Sequence, residues 1–198
     1  MTATLRATKP RVKRPRLAKP LYDGKPMTLE HFREWSPEDG FKYEWNNGFL
    51  EAHDMIKPPE IYIIENLRKV FDKTSFKQQG GAMVTETICP ISEGKYRVPD
   101  LSFLTKAQIE EAREGKFPIP AFVIELVSER DTMNYYDQKL DEYFSAGVQC
   151  VWLVSPLYKK VRVYRSPKEV KICTGEDMCS AMPAVPDFQL SVNQVFQL

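Results

Sequence analysis

A single carboxylate interrupts the most apolar stretch of the chain. Glu125 lies in FVIELV (122–127), and all the other residues of this run are apolar. Such a run, rich in β-branched residues, predicts a strand buried on both faces. A buried carboxylate is unfavourable unless it is paired, hydrogen-bonded or bound to a metal. The position of Glu125 within an apolar run therefore indicates either a functional site or an ion pair within the core.

Asp100 supplies a second carboxylate, 25 residues earlier and on another predicted strand. If the two strands are neighbours, both carboxylates converge at one end of the sheet. Two unneutralised carboxylates held together repel each other, and a divalent cation removes that repulsion as well as the cost of burial. Mg²⁺ prefers one or two carboxylates together with waters and a substrate phosphate. The pair predicts a site for Mg²⁺ or Mn²⁺.

Lys139 is the third candidate, on the predicted helix that follows Glu125. The apolar stripe of this helix is formed by Met133, Tyr136, Leu140, Tyr143 and Phe144. At about 100° per residue, Lys139 lies roughly 90° from the centre of the stripe, so its stem can pack while its ammonium reaches the sheet edge. There it can assist an attacking water or stabilise charge on a scissile phosphate. The alternative is a structural ion pair of Glu125 with Lys139 or Arg97, without metal.

The elements that must position these residues follow from periodicity and turn signals. Helices are predicted within 26–37, capped by Thr28, within 57–73, within 106–115, and from Ser128 or Asp131 to Ala146, where Gly147 ends the helix. Strands are predicted within 75–91, interrupted by Gly80 and Gly81, and within 96–104, 121–128, 148–156 and 159–166, with a β-hairpin over 41–52 around Asn47 and Gly48.

The order strand, helix, strand across 121–155 predicts a right-handed crossover between parallel neighbours. The predicted fold class is α/β, with a mixed sheet flanked by helices and preceded by a helix and a hairpin. We expect one domain over residues 23–198, after a flexible basic arm over residues 1–22.

Composition excludes several classes of protein. With 42% apolar and 28% charged residues, the chain is typical of a globular protein. It has no apolar run of the roughly 18 residues that a membrane helix needs and no apolar stretch typical of a secretory signal, so we expect a cytoplasmic protein. The four cysteines form no CxxC pair and lie far in sequence from both histidines. This arrangement argues against zinc and for buried free thiols.

Charge is distributed unevenly along the chain. Residues 1–20 hold seven of the 28 bases and no acid, which leaves 21 bases against 27 acids, a formal charge of −6, in the remainder. The basic arm can contact nucleic acid phosphates or be a solvated tail, and both interpretations stay open. An acidic body suits a metal-binding cleft better than a broad DNA-binding face.

Three blocks of the sequence together resemble a known family. They are RVPD (97–100), FVIELVS (122–128) and DQKLDEYFSAGVQCVWLVSP (137–156), and they are similar to the Uma2 family of restriction-endonuclease-like proteins. That family is placed in the PD-(D/E)xK nuclease superfamily. The resemblance extends over roughly residues 26–196, including the hairpin FKYEWNNGFLE and the terminal PDFQLSVNQVF.

The resemblance implies roles for individual residues. Pro99 and Asp100 match the first part of the superfamily motif, and Glu125 matches its second acid. The motif's lysine belongs two positions later, where this chain has Val127, and Lys139 is expected to replace it. Glu44, in the hairpin, is expected to be an additional metal ligand or to orient the water.

Two further positions depart from the family pattern. Glu60 stands near a place where many relatives carry a histidine, and Tyr135 where many carry an aspartate. The resemblance implies a divalent-metal-dependent endonuclease, with DNA as the expected nucleic acid and a homodimer as the expected assembly. The alternative is an inactive protein that keeps the nuclease fold as a binding or assembly module. The lack of GxxxxGK[ST] and GxGxxG motifs argues against a nucleotide-binding enzyme.

Overall fold

The computed structural model describes residues 19–128 and 132–198. Most of the predicted basic arm lies outside this range, as does Asp131, one of the two predicted caps of the helix after Glu125. In the described part of the chain, no helix is both long and apolar enough to cross a membrane.

The described residues include six α-helices and twelve strands. The helices are α1 (Leu29–Glu34), α2 (Ile61–Phe71), α3 (Ser75–Gln78), α4 (Lys106–Arg113), α5 (Met133–Ala146) and α6 (Val192–Val195). The strands are β1 (Phe41–Asn46), β2 (Phe49–Asp54), β3 (Ala82–Thr85), β4 (Cys89–Ser92), β5 (Lys95–Arg97), β6 (Leu101–Leu104), β7 (Phe122–Leu126), β8 (Cys150–Ser155), β9 (Lys160–Ser166), β10 (Glu169–Thr174), β11 (Met178–Ala181) and β12 (Val185–Ser191).

The central sheet has six strands in the order β10-β9-β8-β7-β6-β3. Strands β7 and β8 are parallel and the other neighbours are antiparallel. The parallel pair is joined through α5, because a parallel connection requires a long crossover. This arrangement confirms the predicted fold class and the predicted parallel pair.

Side chains that alternate along β7 separate the core into two parts. Phe122, Ile124 and Leu126 face the larger apolar cluster, which includes the buried residues of α2. Val123 faces a second cluster, built with residues of α5 such as Tyr143. Because successive strand residues point to opposite faces, Glu125 lies on the same face as Val123, underneath α5.

A second sheet, in the order β2-β1-β5-β4, carries the predicted hairpin. Asn47 and Gly48 form its two-residue turn with φ angles of 49° and 89°, the left-handed values that Asn-Gly sequences favour. The hairpin register places Glu44 opposite Glu51 and Lys42 opposite His53. Since residues 42 and 44 share one face of β1, this hairpin delivers several charged side chains to one place.

Three local predictions need correction. Residues 96–104 form two strands in different sheets, β5 and β6, because Pro99 has no N–H to continue a ladder. The sequence 75–78 forms the short helix α3, since the Thr74 side chain accepts a hydrogen bond from Lys77 N. Thr132 caps α5 by accepting from Tyr135 N, so Ser128 is not the cap.

Candidate active site

Asp100 and Glu125 meet at one edge of the central sheet. Asp100 directly precedes β6, Glu125 is the penultimate residue of β7, and the antiparallel register pairs Leu101 with Ile124. The N–H of Leu126 donates to Asp100 Oδ2 at 2.6 Å. The start of one strand therefore lies beside the end of the other, and the expected convergence of the two carboxylates is present.

Glu125 receives two donors from α5. Lys139 Nζ and the Tyr143 hydroxyl both donate to Glu125 Oε1, at 2.9 and 2.6 Å. Residues 139 and 143 are one helical turn apart and share a face of the helix, which explains how both reach the same oxygen. Burial, together with the charges of Glu125 and Glu44, raises the pKa of the Tyr143 hydroxyl well above its ordinary value.

Lys139 also contacts a second carboxylate. Its Nζ lies 2.9 Å from Glu44 Oε1, and the residue is only 2% exposed. Burial opposes the charge, but Glu125 and Glu44 raise the pKa of Lys139 above the ordinary lysine value. Lys139 is therefore charged at neutral pH and links β1 to β7.

One member of the apolar stripe predicted for α5 is not in the core. Met133 is exposed.

Glu44 is completely buried and accepts from several directions. Val98 N donates to Oε1 at 3.0 Å and Arg97 Nη1 to Oε2 at 2.6 Å, while His53 Nε2 lies 3.1 Å from Oε2. Burial alone would raise its pKa, yet Lys139, His53 and Arg97 hold the pKa of Glu44 well below its ordinary value. Glu44 is thus an ionised carboxylate that anchors the cations around it.

Lys42 is a site residue that the sequence interpretation missed. Its Nζ donates to Asp100 Oδ1 at 2.5 Å and to the Val98 carbonyl at 3.0 Å. Burial opposes its charge, but Asp100 and Glu125 raise the pKa of Lys42 above the ordinary lysine value. The signal was the alternation of Lys42 with Glu44 along one predicted strand, which puts both on one face.

His53 and Tyr135 form a second pair that was not predicted as site residues. Their rings stack at a centroid distance of 5.3 Å, and the Tyr135 hydroxyl lies 3.2 Å from His53 Nδ1. His53 is opposite Lys42 in the hairpin, so its position depends on the pairing of β1 with β2. Both residues line a cavity beside Asp100 and Glu125, as does Glu60.

The charged cluster opens into a cavity of about 190 Å³. Its walls include Lys42, Asp100, Glu125 and Lys139, whereas Glu44 is not among the described residues that line it. One water occupies about 30 Å³ in the liquid, so the cavity has room for an ion with several waters. Carboxylate oxygens beside such a space are the ligands that Mg²⁺ prefers, and Asp100 and Glu125 therefore fit a divalent cation.

A second group of ligand atoms fits a metal less well. Single ligand atoms of Glu44, Glu51 and His53 all lie within 4.8 Å of one another. However, Arg97 Nη1 lies 2.6 Å from Glu44 Oε2 and 3.1 Å from Glu51 Oε2. The guanidinium is also held by Glu142, at 2.7 Å, and unlike Lys42 it is not among the described residues that line the cavity. It therefore stays between these two carboxylates and opposes a divalent cation there, and the role of Glu44 as a metal ligand stays a prediction.

Charge within the cluster is balanced by the protein itself. The three carboxylates Glu44, Asp100 and Glu125 are each in contact with at least one of the cations Lys42, Arg97 and Lys139. Each carboxylate therefore has a positively charged partner, which explains how such a cluster is tolerated at the junction of two sheets. Chemically, the site presents two carboxylates and two ammonium groups to one cavity.

Comparisons with known proteins identify a family for the chain and a solved structure with a similar fold. A family model described as "Uma2: Putative restriction endonuclease" matches residues 29–193. Among solved structures, the chain is similar to a protein described as "a putative nuclease belonging to DUF820" from Anabaena variabilis, with a TM-score of 0.69 and 22% sequence identity. The match covers 86% of this chain and 98% of that one. No curated protein matches the chain.

Proposed function

The chain belongs to the Uma2 family, and on that premise we propose that it is a divalent-metal-dependent endonuclease that hydrolyses phosphodiester bonds in nucleic acid. The observation that carries this proposal is the convergence of Asp100, Glu125 and Lys139 on one cavity. The three residues come from the edge of the central sheet and from α5, and they provide two acidic ligands beside an ammonium. The acidic ligands can hold a cation that assists phosphodiester hydrolysis, and the ammonium can stabilise the charge that develops on the phosphate.

Asp100 and Glu125 are the residues that would hold the cation. When bound, a divalent cation supplies positive charge that stabilises the charge developing on the scissile phosphate. Mg²⁺ is the expected ion and Mn²⁺ its usual substitute, because both accept oxygen ligands.

Lys139 takes the role that the superfamily motif gives to a lysine two positions after its second acid, where this chain has Val127. Its ammonium is fixed by Glu125 and Glu44 at 2.9 Å each, so it can donate to an attacking water or to a phosphate oxygen without a search through rotamers. Preorganised donors of this kind stabilise the transition state without reorganisation. Glu44 supports the reaction by holding Lys139, and Tyr143 fixes the orientation of Glu125.

The substrate we propose is DNA, and we propose that the protein acts as a homodimer, since two sites are needed to cut both strands of a duplex in one encounter. Pro20 lines the cavity, and it lies at the end of residues 1–20, which carry seven bases and no acid. We propose that this basic segment contacts phosphates of the bound nucleic acid.

A second candidate function is a non-catalytic binding or assembly module with the same fold. It is favoured by the balance of charge in the cluster, because Lys42, Lys139 and Arg97 neutralise the carboxylates without any metal. A cluster whose carboxylates are all paired with cations of the protein can also have a purely structural role.

A cleavage assay separates the two candidates. The protein is incubated with plasmid, linear duplex and single-stranded DNA, with Mg²⁺, Mn²⁺ or EDTA, beside the variants Glu125→Gln and Asp100→Asn. We expect metal-dependent cleavage by the natural protein and a loss of at least about 10²-fold in each variant. Glu65→Gln, on the exposed surface of α2, is the control and keeps full activity. Equal cleavage by Glu125→Gln, or no cleavage of any substrate, would overturn the nuclease proposal.

A further inference from the structure

We propose that Lys42 is a built-in counterion that a divalent cation must displace from Asp100, so that metal binding and release of the Lys42 ammonium toward the cavity are one event. The inference rests on the proposed metal-dependent function and adds a control of that same site.

Both oxygens of Asp100 already have donors. Lys42 Nζ lies 2.5 Å from Oδ1, and Leu126 N donates to Oδ2 at 2.6 Å. The backbone N–H of Leu126 is part of β7 and is fixed in place. A cation that approaches Asp100 therefore meets a movable ammonium on one oxygen and an immovable amide on the other. Because two positive charges cannot share Oδ1 without strong repulsion, Lys42 is the group that has to move.

The ammonium of Lys42 can move from Asp100 into the cavity. Its side chain lines the cavity, and the Val98 carbonyl, 3.0 Å from Nζ, remains available as an acceptor when Asp100 is lost. The lysine side chain has a flexible four-carbon stem, so a small rotation about its bonds carries the ammonium away from Asp100 Oδ1. In the cavity, a phosphate of the nucleic acid can provide the negative charge that Asp100 no longer offers.

Lys139 does not share this property. It is held by two carboxylates, Glu44 and Glu125, at 2.9 Å each, and losing one of them leaves the other in place. Lys42 has Asp100 as its only ion-pair partner within 4 Å among the described residues. The cluster therefore contains one lysine that is fixed and one that is exchangeable, and the exchangeable one covers the proposed metal ligand.

Titration with Mn²⁺ by calorimetry tests this inference on the full chain. The variants are Lys42→Met, which keeps the stem and removes the charge, and Lys42→Gln, which keeps a donor for Asp100. The matched control is Lys57→Met, because Lys57 lines the same cavity but pairs with Asp54, at 2.9 Å. We expect both Lys42 variants to bind Mn²⁺ at least roughly tenfold more tightly than the natural protein, and the control to stay within about twofold.

Thermal unfolding gives a second readout that does not depend on activity. Without metal, Lys42→Met should melt at a lower temperature than the natural protein, because Asp100 loses its charged partner. Saturating Mn²⁺ should raise the Tm of this variant by more than it raises that of the natural protein. If Lys42→Met does not fold, Lys42→Gln provides the same comparison.

The outcomes separate this inference from the proposed function. Tighter binding of Mn²⁺ by the Lys42 variants supports the inference even if no nuclease activity is found. Binding by the natural protein that is unchanged or weakened in both Lys42 variants overturns the inference and leaves the nuclease proposal standing. An equal gain in Lys57→Met also overturns it, since the effect would then be one of overall charge. Absence of Mn²⁺ binding in every protein overturns both.

Discussion

The ammonium of Lys139 lies 2.9 Å from Glu125 Oε1, although the two residues are separated by 14 positions in the sequence. Val127, two residues after Glu125, extends the same strand by donating to the Val154 carbonyl and packs against the apolar cluster beneath α5. Residues 125 and 127 therefore face the same side of the sheet. The helix supplies the ammonium that the strand itself lacks.

This relationship predicts that a lysine can be moved from the helix to the strand. Lys139→Met should lower cleavage by about 10²-fold or more, because a preorganised donor is lost. The double variant Lys139→Met with Val127→Lys should recover part of that loss, since residue 127 points toward the same cluster. Initial rates of plasmid nicking with Mg²⁺ measure both effects. If Val127→Lys raises cleavage no further than Val127→Met in the same background, Lys139 does not replace the motif lysine.

Tyr143 is predicted to position Glu125. Its hydroxyl donates to Oε1 at 2.6 Å, and Tyr143→Phe removes that donor from a buried carboxylate at a cost of about 1–3 kcal/mol in the free energy of unfolding. We expect cleavage to fall as well. Tyr43→Phe is the matched control, because its hydroxyl donates to a carboxylate at the same distance, that of Asp39, away from the cavity. The control should lose stability but keep cleavage; parallel losses of cleavage in both variants would contradict the positioning role.

The lowered pKa of Glu44 predicts that the folded protein loses stability in acid. Its pKa in the folded protein lies well below the ordinary value of 4.5, so the unfolded chain takes up a proton first as the pH falls. The contribution of Glu44 is therefore fully present above about pH 4.5 and is lost as the pH falls toward the folded-state pKa.

Urea unfolding of Glu44→Gln at pH 7 and pH 3.5 measures this contribution. At pH 7 the variant should be less stable by about 3–5 kcal/mol, because Arg97 and Lys139 lose a buried partner, and the difference from the natural protein should shrink at pH 3.5. Glu65→Gln, which breaks a surface pair with Arg68, should change stability by less than about 1 kcal/mol at either pH. A difference for Glu44→Gln that is equal at both pH values would show that its ionisation is not linked to folding.

Deletion of residues 1–18 tests the basic arm. It removes six of the seven bases of residues 1–20 while leaving Pro20 at the cavity. If the arm contacts phosphates, DNA affinity should fall and the dependence of log Kd on log salt concentration should flatten by up to about 5 units. Fluorescence anisotropy at several salt concentrations measures the slope. An unchanged slope would identify the arm as a solvated tail.

Local patterns were sufficient for much of the fold. The Asn47-Gly48 turn, the amphipathic period of α2 and the order β7-α5-β8 were all predictable, because turn chemistry and side-chain period depend on neighbours in the sequence. The prediction of one strand over 96–104 was wrong. Whether a proline bends a strand or moves the chain into another sheet depends on packing partners, and Pro99 does the second.

The sequence by itself determined that Glu125 and Asp100 would be buried, but it did not predict the complete burial of Glu44. Glu125 lies within an apolar run, and Asp100 lies next to another, so their burial follows from hydrophobic patterning alone. The place of Lys139 on the flank of α5 follows in the same way from the helical period.

Only the tertiary structure decided which cation serves each carboxylate. Lys42 reaches Asp100 and Lys139 reaches Glu44 because the hairpin sheet is packed against the edge where β6 begins and β7 ends. Contacts of this kind depend on the relative position of two sheets, and residues 42 and 100 are 58 positions apart. Side-chain period fixes the face on which a residue lies, but it carries no information about what that face will meet.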